Sequence, residues 1–119
     1  PAGTRHEAWS VALAERHPDL VLAHDPDLVC WLIGTHHGHG RPAFPATGER
    51  GDAAFTVADP ETGTTVTAPV AHGLDRLDSG WSARLRRLEA HYGIWGLAHL
   101  EAVLRLADHR ASEAEADWP

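Results

Sequence analysis

Apolar residues recur at helical spacing in four stretches of this chain and alternate at strand spacing in two. Residues 5–17 are alanine-rich, with His6, Trp9, Ser10, Leu13 and His17 on neighbouring faces, which predicts a first helix. Pro18 ends it, because the residue before a proline is pushed out of the α region. A second helix opens on Asp25 as N-cap, Pro26 at the first helical position and Asp27 at the positive end of the dipole. Its run from Leu28 to Ile33 is apolar on every side, so this helix is expected in the core, and Gly38 and Gly40 stop it just past His36 and His37.

Residues 38–51 carry Pro42, Pro45 and Gly48 and read as loop. Ala54–Ala58 and residues 64–68 are short runs with β-branched and aromatic positions, joined by the five residues 59–63, which predicts a β-hairpin. Trp81, Leu85, Leu88 and Tyr92 then mark a third helix that Gly93 terminates, and a fourth spans residues 94–114. The acidic, alanine-rich stretch 112–117 is expected to fray. The pattern describes one mostly α domain over 1–119 with a small hairpin inserted.

Composition adds limits. At 119 residues, 43% hydrophobic and 23% charged, the chain suits a single globular domain. No apolar stretch reaches the ~18 residues a membrane span needs, and no signal-peptide pattern opens the chain, so no membrane partner is expected. Cys30 is the only cysteine, which excludes an internal disulfide and fits a reducing, cytoplasmic setting. The chain has no methionine and starts at Pro1, the pattern expected of a piece of a longer polypeptide. Its formal net charge of −7 argues against a nucleic-acid surface of the ordinary basic kind. Bound divalent cations would reverse that field locally.

Chemistry concentrates in two places. The first is the run His36-His37-Gly38-His39-Gly40-Arg41-Pro42, where two adjacent imidazoles stand at the rim of a helix. They read either as metal ligands or as a surface pair capping a helix C-terminus, where positive charge is favoured. The second is the last helix. At ~100° per residue, Leu97, Leu100, Leu104, Ala107 and Ala111 form an apolar stripe beside a polar one of Glu101, Arg105, Asp108 and Ser112. The polar stripe reads either as a solvated face with a Glu101–Arg105 pair at i,i+4 or as the wall of a site. Asp25 of the His24-Asp25 doublet already has a role as N-cap, and the Arg84, Arg86 and Arg87 cluster reads as a solvated face. His39, His72, His91, His99 and His109 have no partner pattern and are expected mostly at the surface. The HExxH and CxxC spacings of zinc sites, a phosphate-binding glycine loop and a nucleophile elbow are all absent from the sequence.

Three blocks together carry a resemblance: Arg5-His6-Glu7, the stretch from Leu32 to Pro42, and the stretch from Trp95 to Ser112. In order and approximate spacing they resemble the HD-type nuclease domain of the CRISPR-associated nuclease-helicase of type I systems. That resemblance implies an HD-like helical bundle holding one or two divalent metal ions (manganese, nickel, cobalt, iron or magnesium). It implies hydrolysis of single-stranded DNA delivered by a fused or separate helicase and a CRISPR surveillance complex. Position by position, His6, His36, His37 and Asp108 resemble its metal ligands, and Ser112 a contact to the DNA backbone; Arg41 is a candidate to offset developing negative charge.

The family also uses an earlier histidine and a His-Asp doublet that lie before the Arg-His-Glu block, and His24-Asp25 is on the wrong side of His6 to serve. The chain therefore resembles the C-terminal portion of such a domain, with fewer metal ligands and apolar faces left for the missing N-terminal part or another chain. Weak or no activity is expected of it alone. Two other readings remain open: an HD-family nucleotide phosphohydrolase, and a non-catalytic helical interaction module with incidental histidines.

Overall fold

The computed structural model describes residues 2–36, 40–41, 43–44, 51–76 and 78–116. Four α-helices and one hairpin follow in the order α1 (Ala2–Arg16), α2 (Pro26–Thr35), β1 (Ala54–Ala58), β2 (Thr65–Pro69), α3 (Trp81–Tyr92) and α4 (Ile94–Ala116). The mostly α fold with a small hairpin is the one the pattern predicts. No helix among the described residues is long and apolar enough to cross a membrane.

Local chemistry explains most of the boundaries. The Asp25 side chain accepts from the Leu28 N–H at 3.2 Å, a standard cap on the positive end of α2. α2 stops at Thr35, and His36 is its C-cap, its N–H donating to the Leu32 carbonyl. Between α1 and α2 the chain is not a plain turn, since Pro18–Leu22 forms a short 3-10 helix capped by the His17 ring, whose Nδ1 accepts from the Asp19 N–H. Pro18 cannot continue α1 but suits the start of a new helical turn. Gly93, at φ 78° and ψ 157°, makes the one-residue reversal from α3 to α4, a backbone region closed to most other residues.

The core is built on two indoles. Trp31 of α2 and Trp81 of α3 stack with centroids 4.8 Å apart, Phe44 tilts onto Trp81 at 4.8 Å, and Val11, Leu88 and Leu97 close around them. Two glycines allow this approach. A Cβ at Gly34 would lie 2.6 Å from Trp81, and a Cβ at Gly40 would lie 2.6 Å from the Gly34 carbonyl. The Trp81 Nε1–H donates to the Gly40 carbonyl at 2.6 Å, so the strand of chain after α2 is pinned on the core indole. Burial of α2 is one-sided: Cys30, Trp31, Gly34 and Thr35 are inside, whereas Val29 is 36% exposed, which corrects the expectation of a helix buried all round.

The hairpin is antiparallel in the register Phe55↔Ala68 and Val57↔Val66. Its second strand begins at Thr65, one residue later than predicted, because Gly63 and Thr64 are used up in closing the turn on Asp59. Val66 and Ala68 are buried toward α1, and Trp9 of α1 donates its indole N–H to the Val70 carbonyl at 2.8 Å.

Two expectations for the later helices are also corrected. Arg84 and Arg87 are not a solvated strip. Both bond Asp27 at the start of α2 (2.9 and 3.2 Å), and Arg84 adds Glu15 of α1 at 3.1 Å, so α3 is fastened to both earlier helices. The stretch 112–117 expected to fray is helical through Ala116, where alanine and glutamate have high helix propensity and His109 pairs with Glu113 at 3.1 Å, and its last residue lies outside the described residues.

Candidate functional site

The end of α2 and the polar stripe of α4 meet. Arg105 reaches from α4 to the carbonyl of His36, the α2 C-cap, with its Nε donating at 3.4 Å. The His36 ring is fixed by its own helix, Nδ1 lying 2.7 Å from the Ile33 carbonyl. A carbonyl only accepts, so Nδ1 carries the proton in this contact. This is the tautomer a metal-ligating histidine adopts when a backbone carbonyl orients it.

Glu101 is the unexpected member. It is 3% exposed, and its Oε1 lies 3.1 Å from Nε of Arg41. A buried carboxylate costs several kcal/mol unless it is paired, so Arg41 is drawn onto α4 from the chain that follows α2. The Arg41 guanidinium also sits 6.0 Å from the centroid of the Trp31 ring, at the outer limit of a cation–π contact. The second Glu101 oxygen, Oε2, is buried with no hydrogen-bond partner among the described residues. The solvated Glu101–Arg105 pair is therefore not formed as such: Glu101 bonds Arg41, and Arg105 bonds the end of α2.

Asp108 follows Arg105 by three residues, which places it about one turn further on the same face. It is partly buried, while every other residue from 105 to 115 is exposed. Ser112, another turn on, is exposed. His6 is exposed on α1 with its ring 5.6 Å from that of Trp9, which is itself bonded to the base of the hairpin. His37 lies outside the described residues, as does His39. Among the described residues no group of three His, Cys, Asp or Glu side chains comes together as a metal cage. The donors fit a divalent transition metal in kind, an imidazole nitrogen at His36 and carboxylate oxygens on the facing stripe.

Other residues have structural roles. Asp25 caps α2 and accepts from the Tyr92 hydroxyl at 2.6 Å, as its reading as a cap requires, and that bond pushes the Tyr92 phenol above its ordinary value. Burial of Cys30 pushes its thiol up, which removes it as a nucleophile at neutral pH. His91, His99 and His109 are exposed as expected, and His72 is half-buried with its Nδ1 accepting from the Leu74 N–H.

Sequence reasoning missed an apolar groove of about 420 Å³ between the end of α1, the 3-10 helix and the hairpin. Leu13, Leu20, Val29, Val57 and Val66 line it, and its polar lining is His17, Asp19 and Asp59. No local signal marks it, because its two walls are some 40 residues apart in the chain.

Comparison with known proteins finds no match among protein families, curated proteins or solved structures.

Proposed function

We propose that this chain belongs to a metal-dependent phosphodiester hydrolase of the HD nuclease type, acting on single-stranded DNA in a cytoplasmic defence system. The observation that carries this reading is the tie from Arg105 to the His36 carbonyl. It brings the polar stripe of α4, with Asp108 on its next turn, to the end of α2 at His36. His36 and Asp108 would hold the ion, together with His37 and, from α1, His6. A divalent ion, when bound, supplies Lewis acidity toward a phosphodiester. The chain's own part is to orient. The Ile33 carbonyl holds the His36 ring, Glu101 holds Arg41 by its Nε, and the outer edge of that guanidinium is available to a phosphate oxygen. Ser112, exposed on the same stripe, would face the DNA backbone. A helicase, fused or separate, and a surveillance complex would deliver the strand. The earlier histidine and the His-Asp doublet would come from the preceding part of such a domain.

A second reading, the non-catalytic helical module, is favoured by the apolar side chains left outside: Ile94 at 62%, Trp95 at 86%, Val103 at 52% and Leu106 at 51% exposed. Metal analysis separates the two. The chain is loaded with manganese, cobalt or nickel, desalted and assayed for retained metal. Retention that is lost in His36→Ala and Asp108→Ala, both folded by circular dichroism, is expected. A wild-type chain that keeps no transition metal would sink the nuclease reading in favour of the module. Turnover of nucleotide monophosphates or cyclic dinucleotides in preference to single-stranded DNA would redirect it to the nucleotide phosphohydrolases.

A further inference from the structure

The groove beside the hairpin shares no residue with the site at the end of α2 and has the make-up of a small-molecule site. Its volume of about 420 Å³ lies within the range of ligand pockets, and its floor is aliphatic. Its ionised lining is of one sign: Asp19 and Asp59 are acidic, and no arginine lines it. Asp59 is built into the hairpin turn. Its Oδ1 accepts from the Glu61 N–H at 2.9 Å, and its Oδ2 lies 3.4 Å from Nε2 of His17. His17 accepts from the Asp19 N–H at Nδ1, so its neutral form presents Nε2–H to Asp59. Thr62 also bonds the Asp59 carboxylate through its backbone N–H and its hydroxyl, so an incoming ammonium competes with these neutral donors for its acceptor sites. The Glu61 N–H bond, ahead of His17, holds the Asp59 carboxyl below the ordinary aspartate range, so it is ionised at neutral pH. An anion entering here would meet two carboxylates, on a chain whose formal net charge is already −7.

We propose that this groove binds a small amphiphilic cation, a primary alkyl- or arylalkylammonium whose hydrocarbon body lies on Leu13, Leu20, Val29, Val57 and Val66 and whose ammonium group is met by Asp19 and Asp59. Charge complementarity selects the head group, and the aliphatic floor selects the tail. His17 sets the entrance, since its ring must share Asp59 with the incoming ammonium.

The full chain is titrated at low salt with octylammonium, octanol and octanoate, all below their micellar concentrations, by calorimetry and by amide chemical shifts. Saturable binding of octylammonium is expected, at least tenfold tighter than octanoate and tighter than octanol, with shifts centred on Leu13, Val57 and Val66. Lengthening the tail from hexyl to octyl should tighten binding about three- to fourfold per methylene. Asp59→Asn keeps the acceptor for the Glu61 turn but removes the charge, and is expected to weaken octylammonium about tenfold while leaving octanol unchanged. Ala58→Trp, at an exposed strand position on the lining, should block all three, with the fold checked by far-ultraviolet circular dichroism. Octanoate binding as tightly as octylammonium, no saturable binding, or no dependence on tail length overturns the proposal on the wild-type chain alone. Failure of Ala58→Trp to block, in a folded variant, overturns the location.

Discussion

One apolar stripe runs through both halves of α4, yet the two halves differ in what surrounds it. Up to Leu104 the helix lies on α2 and α3, with Leu97 fully buried and Glu101 3% exposed. Beyond it, Ala107 and Ala111, which continue the same apolar stripe, are exposed, as is Leu106. A wheel cannot see this difference. The reversal at Gly93 lays the first turns of α4 back across the bundle, and a straight helix of 23 residues then outruns the two shorter helices beneath it. An amphipathic stripe states which face is able to be buried; the length of the neighbours states how much of it is.

The comparison breaks most sharply at its apolar centre. Leu97→Ala should cost about 2–5 kcal/mol, read as a lowered urea midpoint. An unchanged midpoint would mean that the first half of α4 does not pack on the core. Next comes the buried charge: Glu101→Ala leaves Arg41 without its partner on α4 and should cost about 1–3 kcal/mol. Amide exchange at Gly40 and Arg41 should rise with it if that carboxylate is what holds the segment. A smaller effect is expected where α3, which supports α4, is tied to α2. The Arg87 and Arg84 guanidiniums hold the Asp27 carboxyl below its ordinary range, so the folded state binds this proton less readily than the unfolded chain. The contribution is therefore complete at neutral pH and is lost as pH falls below about 4. Because these groups are partly exposed, Asp27→Asn should cost no more than about 1 kcal/mol, and the gap from wild type should narrow as pH falls below about 4. Last, Leu106→Ala on the outer half should change stability by less than about 0.5 kcal/mol. A large loss there would show that the second half is covered in solution.

The same contrast explains what was legible. Caps and breakers are local, so α2 begins at its Asp25-Pro26-Asp27 signal and α3 ends at Gly93, each within a residue of expectation. The hairpin is in place for the same reason, offset by one residue where Gly63 and Thr64 complete its turn. The polar stripe of α4 was visible, but its two readings were equivalent on a wheel. The choice went to the inward one for Glu101 because Arg41, sixty residues earlier, is folded beside it. Arg84 and Arg87 look like solvent contacts until Asp27 and Glu15 arrive from other helices. The groove has no signature at all, since neither α1 nor the hairpin encloses it without the other.

By itself the sequence determined the helices, the hairpin, the single free thiol and the acidic balance, because propensity, capping and composition act over a few residues. It also offered His6, His36, His37 and Asp108 as candidate metal ligands. Only the tertiary structure decided that Glu101 is buried beside Arg41, that Arg105 joins α4 to the end of α2, and that an acidic-rimmed apolar groove opens beside the hairpin. Those outcomes depend on side chains distant in the chain excluding water from one another, and no local pattern encodes that.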